Sequence, residues 1–147
     1  MTRIGNAKKL KEKSILKVEK LFGAEVSKIF SIGKERGWVE KPLGEYIVNA
    51  RYGTSEKCRS DDTSGIPILR MGNIQKGRLD PRDLKYLHLD NAERVKLLLK
   101  KRDILVNRTN SAELVGKCAV FDLDGEYGFA SYLIRLRFDT TRANPQL

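Results

Sequence analysis

The sequence is poor in the residues that build metal centres and most catalytic sites. It has two cysteines, Cys58 and Cys118, and one histidine, His88. No C-x-x-C pair occurs and His88 has no neighbouring ligand residues, so neither a zinc ribbon nor a redox dithiol is predicted. Two distant thiols without a disulfide pattern are typical of a cytoplasmic protein. We therefore expect no metal and no cofactor.

Long apolar runs and enzyme signatures are also missing. No stretch reaches the roughly 20 apolar residues of a membrane-spanning helix, and no secretory signal is recognised. The sequence holds no G-x-G-x-x-G, no P-loop, no Asn/Asp-Pro-Pro-aromatic loop of amino-methyltransferases and no Glu-x-Lys of metal-dependent nucleases. Asp61-Asp62 is interpreted as a solvated acidic pair, because a divalent cation needs more ligands. These absences argue against catalysis by this chain.

What the sequence does have is positive charge. Among its 147 residues, 29 are Lys or Arg and 19 are Asp or Glu, which gives a net charge of +10. A surplus of this size attracts polyanions, and a nucleic acid is the commonest such partner. The length favours one compact domain with at most one appended element, and a hydrophobic fraction of 40% is enough for a core.

The first segment, Asn6 to Ile32, is predicted to be a helix with lysines along one face. Gly33 and Gly37 are expected to end it. Its apolar residues recur at steps of three and four, so they form a stripe that packs on the rest of this chain or on a partner helix. The stripe comprises Ile15, Val18, Phe22, Val26 and Ile29.

The remainder is predicted to be short strands between polar loops, so the fold class is α+β: a mixed, β-rich globular domain after an N-terminal helix. Strands are expected at 46–48, 66–70 and 104–106. Asn91 is expected to cap a short helix to about Lys100, with Val95, Leu98 and Leu99 inward. The last third is predicted to be a hairpin. Its parts are residues 117–121, a turn at Asp124-Gly125, and residues 127–138 with Tyr132, Ile134, Leu136 and Phe138 on one face.

Three polar segments combine Arg, Asn, Gln, Thr and Ser with glycine, the side chains that contact base edges and phosphates. Asn73 and Asn107 fit an internal turn-capping role equally well. Tyr52 fits either stacking on a base or anchoring its loop. The candidate DNA-binding residues are Arg51, Tyr52, Thr54, Ser55, Lys57, Arg59, Arg70, Asn73, Gln75, Lys76, Arg78, Arg108, Asn110, Ser111 and Lys117.

Several segments form a family pattern when they are taken in order: Gly37-Trp38, Leu43–Glu45, Tyr52–Ser55, Ile68–Ile74, Asp83–Leu87, Asp103–Ser111, Glu113–Lys117 and Phe129–Arg135. Together they resemble the target-recognition domain of the specificity subunit of type I restriction-modification enzymes. The resemblance implies that residues 1–36 are the end of a spacer helix and that 37–147 are a DNA target-recognition domain. In that family two such domains, separated by long helices that pack as an antiparallel coiled coil, each read half of a split site.

The resemblance implies a non-catalytic subunit that confers target specificity. Its partners would be double-stranded DNA, the methyltransferase (modification) subunit, the restriction subunit and a sister specificity half-subunit, with no membrane. A whole recognition domain would continue beyond Asn144-Pro145, so the chain is interpreted as a fragment or half-subunit. The alternative hypothesis is an assembly protein that docks on a methyltransferase subunit through its helix and contacts DNA only secondarily.

Residues shared by family members that read different DNA sequences cannot be the ones that read bases. This reasoning assigns Asn107–Ser111 and Arg70–Asn73 to scaffolding or phosphate contact. Base reading is then expected at Lys57–Ser64 and Gln75–Arg78.

Overall fold

A computed structural model describes residues 3–109 and 113–145 of the chain. The chain divides into two compact units, one up to Pro42 and one from Leu43 onward. A long helix occupies the first unit and a set of small sheets the second, which confirms the α+β class. In the described part, no helix combines the length and the apolar character needed to cross a membrane.

The first unit is built on α1, Arg3–Glu35, which is longer than the sequence predicted. The apolar stripe is largely exposed to solvent; Val18 and Phe22, for example, are 64% and 72% exposed. Five lysines expected on the opposite face also lie in this helix: Lys9, Lys13, Lys17, Lys20 and Lys28. Within the described residues of this unit, the stripe therefore stays largely uncovered, whereas Phe30 of α1 packs edge-on against the ring of Trp38.

Gly37 ends α1, as predicted, whereas Gly33 lies inside the helix. Gly37 has φ +86° and donates to the carbonyl of Lys34 at 3.1 Å, while Trp38 donates to the carbonyl of Gly33 at 2.9 Å. These two bonds form a Schellman motif. A Cβ on Gly33 would lie 2.2 Å from the Trp38 ring. The absence of a side chain at Gly33 therefore lets the Trp38 ring pack directly against the last turn of the helix.

In its described residues the second unit contains nine short strands, one short α-helix and two 3-10 helices, Leu43–Tyr46 and Met71–Asn73. The second helix, α2, spans Asn91–Leu97. The strands are β1 Ile47–Tyr52, β2 Ile66–Leu69, β3 Ile74–Gln75, β4 Arg78–Leu79, β5 Lys85–Leu87, β6 Ile104–Asn107, β7 Cys118–Val120, β8 Gly128–Phe129 and β9 Leu133–Phe138. The expected strands near β2 and β6 are confirmed. The first strand runs further than expected, to Tyr52, instead of ending at Val48.

The predicted C-terminal hairpin is wrong, because its two strands do not pair with each other. An antiparallel sheet has the order β1-β9-β6-β7, so β6 separates them. Between them, the chain turns at Gly125 (φ +99°) and places β8 parallel to β2 in a second sheet of order β5-β2-β8. The turn at Asp124-Gly125 was therefore predicted correctly from local residues. The pairing of the strands was not, because it depends on residues that are distant in the sequence.

The alternation predicted along β9 is observed at its start, where Leu133 and Arg135 are buried and Ile134 and Leu136 are half-buried, and Arg135 is only 2% exposed. Its Nη1 donates to the carbonyls of Lys96 and Leu98 at 3.1 and 3.3 Å, and its Nη2 donates to Asn49 Oδ1 at 2.6 Å. Burial lowers the pKa of this guanidinium, with Arg137 adding to the effect. Arg135 thus joins the end of α2 to β1 across the sheet.

The short helix α2 begins and ends earlier than predicted. Asp90, and not Asn91, is its N-cap: its carboxylate accepts from the Glu93 amide at 2.8 Å, and Glu93 accepts from the Asp90 amide at 3.0 Å. This is a capping box, which sets the first turn. Val95 is 83% exposed, so it does not point inward, whereas Leu99 just after the helix is buried as expected.

An ion pair with a buried carboxylate joins the strand β9 to the turn that precedes β6. Arg137 donates to both carboxylate oxygens of Asp103, at 2.7 and 2.6 Å. The Asp103 carboxylate is almost fully buried and also accepts from the Lys100 amide at 2.8 Å. One carboxylate therefore satisfies the guanidinium and a backbone donor at the same time.

We predict that Asp103→Ala lowers the free energy of unfolding by about 3 kcal/mol, because removing one partner of a buried pair leaves the other uncompensated. Urea denaturation measures this. Asp124→Ala is the matched control, since Asp124 is a fully exposed carboxylate paired with Lys101, and it should leave stability nearly unchanged. Equal effects of the two substitutions would contradict the role given to Asp103.

Candidate nucleic-acid interface

The interface residues lie where β1 leaves the four-stranded sheet. Arg51 and Tyr52 lie on the edge strand β1 itself and not in a loop, and both are exposed. Gly53 then passes so close to the backbone at the end of β8 that a Cβ on it would lie 2.1 Å from the Phe129 carbonyl oxygen. Only glycine fits this crossing, which delivers the next residue, Thr54, beside the segment that follows β8.

Thr54 is held by two backbone hydrogen bonds to that segment. Its amide donates to the Phe129 carbonyl at 3.0 Å, and the Ser131 amide donates to the Thr54 carbonyl at 2.8 Å. The Thr54 side-chain oxygen accepts from the Glu56 amide at 3.1 Å. The polar segment therefore starts from a fixed position on the sheet.

Arg108, just after β6, is fixed over the ring of Tyr52. Its guanidinium carbon lies 4.6 Å from the ring centroid, and its Nε donates to the Ser131 carbonyl at 3.1 Å. The ring and the carbonyl orient the cation at low entropic cost, and Arg108 remains exposed. A pre-oriented, exposed guanidinium is suited to binding an oxyanion.

A cleft of about 410 Å³ opens next to Thr54. Three cations line it, Lys57, Arg70 and Lys85, together with hydroxyl groups of Thr54, Ser55 and Ser131. A second cleft, of about 460 Å³, shares Lys57 and Lys85 with the first and adds Arg59. The two clefts form one basic surface, which we call the basic cleft.

Two acids also line the basic cleft: Glu56 in the first cleft and Asp61, the ion-pair partner of Arg59, in the second. A side-chain hydrogen bond with Glu93, followed by the negative charge of Glu93, raises the pKa of Glu56. Burial raises the pKa of the Cys58 thiol.

Arg70 is only partly available in this cleft. Its Nη2 donates to the carbonyl and to a carboxylate oxygen of Asp83, at 2.6 and 3.0 Å. Its Nε is buried and has no hydrogen-bond partner in the described residues. Because Asp83 offsets part of its charge, Arg70 contributes less to the field than Lys57 or Lys85.

Asn73 lies inside the protein, where it organises the chain instead of facing solvent. Its amide nitrogen donates to the carbonyls of Asp80 and Arg82 at 2.9 and 2.8 Å, and its amide oxygen accepts from the Arg70 amide at 2.9 Å. It is 4% exposed. Of the two roles open to Asn73, internal turn capping is the one its geometry favours.

Asn107 has the same internal character. It is buried, donates to the Leu114 carbonyl at 2.8 Å and accepts from the Thr109 amide and hydroxyl. It thereby shapes the loop that begins with Arg108. Lys117, at the far end of this loop, is half-buried. Asn110 and Ser111 lie outside the described residues.

Three of the candidates lie on a hairpin apart from the basic cleft. Gln75 ends β3, Arg78 begins β4, and Lys76 lies in the turn between them; all three are exposed. The Gln75 amide nitrogen donates to the Gly72 carbonyl at 2.9 Å. The structure therefore separates the sequence candidates into a basic cleft, a hairpin and buried scaffold residues.

Comparison with known proteins gives one informative match. Over 108 residues, the chain is 32% identical to the type I restriction enzyme StySPI specificity subunit of Salmonella potsdam. This match supports the family resemblance. The matched region is 72% of this chain but 23% of the relative, so the chain spans about a quarter of the relative's length. No family model matches the chain.

Sequence reasoning missed Lys85 as a residue of the cleft. Lys85 lies on β5, pairs with Ile68 of β2 and faces the loop that contains Lys57. Its only sequence signal was its place in a segment of the family pattern, and nothing local shows that a strand lysine lines a distant loop. Among the described residues, no cluster of three or more His, Cys, Asp or Glu side chains is arranged to hold a metal ion.

Proposed function

We propose that this chain is a target-recognition module of a type I restriction-modification enzyme, and that it binds double-stranded DNA and confers sequence specificity on the complex. The observation that carries this proposal is the cation of Arg108, fixed on Tyr52 and Ser131. The basic cleft and the match to a specificity subunit support it.

Binding would rest on phosphate neutralisation. Arg108, Lys57 and Lys85 are the cations of this surface that have no ion-pair partner in the described residues. Each contact to a phosphate releases condensed counterions from the duplex, so affinity depends steeply on salt. The hydroxyls of Thr54 and Ser55 would add hydrogen bonds to phosphate oxygens.

Methylation and cleavage would belong to the partner chains, the methyltransferase and restriction subunits, since this sequence lacks the signatures of either chemistry. The module itself would need no cofactor. Residues 1–36 would be the end of a spacer helix and residues 37–147 the recognition domain, acting in the cytoplasm.

The exposed stripe of α1 supports a second, compatible role in assembly. Apolar side chains that lie in solvent along a helix at steps of three and four are suited to packing against another helix. The occupant would be a helix of the methyltransferase subunit or of a sister half-subunit. DNA contact and helix docking would then lie in the two separate units of the chain.

We predict that Lys57→Ala with Lys85→Ala, and separately Arg108→Ala, weaken binding to random duplexes. Each lost phosphate contact should reduce the slope of log affinity against log salt concentration by about 0.9, because one phosphate fewer is neutralised. Fluorescence anisotropy with a labelled duplex over a series of salt concentrations measures the slope.

The matched control is Lys9→Ala with Lys13→Ala, which removes the same charge from the exposed helix α1. It should change the slope less than the cleft variant. Equal slopes for the two double variants would place the phosphate contacts elsewhere. If the unmodified chain binds no duplex in a salt-dependent way, the proposed function is wrong.

We further predict that Val18→Glu with Phe22→Glu abolishes co-purification with the methyltransferase subunit, because two charges would enter an apolar helix seam. Lys13→Gln with Lys20→Gln, on the lysine face, should leave it intact. An unchanged complex in the Val18 and Phe22 variant would count against docking through α1.

A further inference from the structure

The sequence predicts base reading at two polar segments, Lys57–Ser64 and Gln75–Arg78. Base reading requires donors and acceptors that are free to meet base edges. The hydrogen bonds that each segment already makes inside the protein therefore discriminate between them.

The first segment uses its polar side chains internally. Arg59 donates to both oxygens of Asp61, at 3.3 and 3.1 Å. Asp62 accepts from the hydroxyl of Ser64 at 2.5 Å and lies 2.9 Å from His88 Nε2. These partners lower the pKa of Asp62 to about 2, so it stays ionised and would repel phosphates nearby. The segment carries as many acids as bases.

The second segment is a hairpin made of β3 and β4, which pair through Ile74 with Leu79 and Gln75 with Arg78. Lys76 and Arg78 have no ion-pair partner in residues 3–109 and 113–145. The four residues Gln75–Arg78 contain two cations and no acid. The hairpin therefore presents free cations.

The turn of the hairpin has an unusual residue in it. Lys76 and Gly77 have φ +51° and +75°, as the two central residues of a type I′ turn require. Asn, Asp or Gly is the ordinary choice at the first position, and a lysine in the left-handed region is strained. Strained residues of this kind cluster at functional sites, so Lys76 marks the turn as a candidate contact.

The base of the hairpin is rigid. Ile74 is fully buried in the core. Asn73 binds the carbonyls of Asp80 and Arg82 on the far side, and the Asp80 amide donates to the Asn73 carbonyl at 2.8 Å. The tip thus projects from an anchored base, as a reading element must if its side chains are to meet fixed positions.

We propose that the β3–β4 hairpin enters the major groove and that Gln75, Lys76 and Arg78 select bases there. This inference rests on the proposed function, DNA binding, and assigns reading to one element of it. The major groove of B-DNA, about 12 Å wide, admits a two-stranded ribbon. Arg108, fixed over Tyr52, and the lysines of the basic cleft would hold the flanking phosphates.

The chemistry of the three side chains sets what they would read. Arg78 carries a free guanidinium, which matches the N7 and O6 acceptors of guanine. The Gln75 amide nitrogen is held by Gly72, so its oxygen is the atom available to accept a hydrogen bond from adenine N6 or cytosine N4. Lys76 donates as a point charge to guanine acceptors.

The experiment is selection from a pool of random duplexes with the whole chain, followed by sequencing. The unmodified chain is compared with Gln75→Ala plus Arg78→Ala, and with Arg59→Ala plus Asp61→Ala in the other segment. A third variant, Arg78→Lys, keeps the charge and the fold but loses the bidentate geometry. Circular dichroism checks that each variant is folded.

We expect the hairpin variants to lose preference at adjacent positions of the selected motif, while the Arg59 and Asp61 variant keeps it. Arg78→Lys should reduce affinity for the selected duplex by about five- to 150-fold and leave affinity for random duplexes nearly unchanged. Replacing the selected guanine by 7-deazaguanine, which lacks the major-groove N7 acceptor, should weaken the unmodified chain more than it weakens Arg78→Lys, because only the guanidinium uses N7 and O6 together.

An intact motif in the hairpin variants would overturn this inference and leave DNA recognition by the chain standing. Loss of the motif in the Arg59 and Asp61 variant alone would assign reading to the other segment. Failure of the unmodified chain to enrich any motif would instead refute the proposed function, and the hairpin assignment with it.

Discussion

The hydrogen bonds of the Arg135 guanidinium are the interaction on which the second unit, from Leu43 onward, depends. The guanidinium lies almost fully buried in the inner strand β9 and donates to the carbonyls of Lys96 and Leu98 at the end of α2 and to the side chain of Asn49 on β1. Burying an arginine is costly unless hydrogen bonds compensate it. Here those bonds join three elements that are distant in sequence, so the edge strand β1 and the end of α2 are both placed by one side chain. Arg137 and Asp103 extend the same link to β6.

The placement of β1 and β9 has a direct consequence for the basic cleft. The segment between β8 and β9 supplies the Ser131 amide to Thr54 and the Ser131 carbonyl to Arg108. Two polar segments that are far apart in the chain are therefore fixed to the same serine. Because that serine lies on a stretch between two sheets, the geometry of Thr54 and Arg108 is set before any ligand binds, as the proposed function requires.

Local patterns in the sequence were enough for the helix α1, its end at Gly37, the strands β2 and β6, and the turn at Gly125, because each depends on residues near one another. The partner of β9 was not predictable in the same way, since the turn at Gly125 leads to β8 and not back to β7. Alternation along β9 separated the two faces of the strand correctly, but nothing local shows that the face with Leu133 and Arg135 is the buried one, because charged residues usually face solvent. Lys85 was missed for a related reason, since only the paired strands bring it beside Lys57.

The measurement that tests the account most directly is mapping of methylated sites after this chain replaces one recognition domain of a complete type I enzyme. If the chain reads DNA, half of the split methylation site changes to a new sequence while the other half is retained. An unchanged site, or a complex that assembles yet methylates without any preference in that half, would contradict the claim that this chain is a reading module.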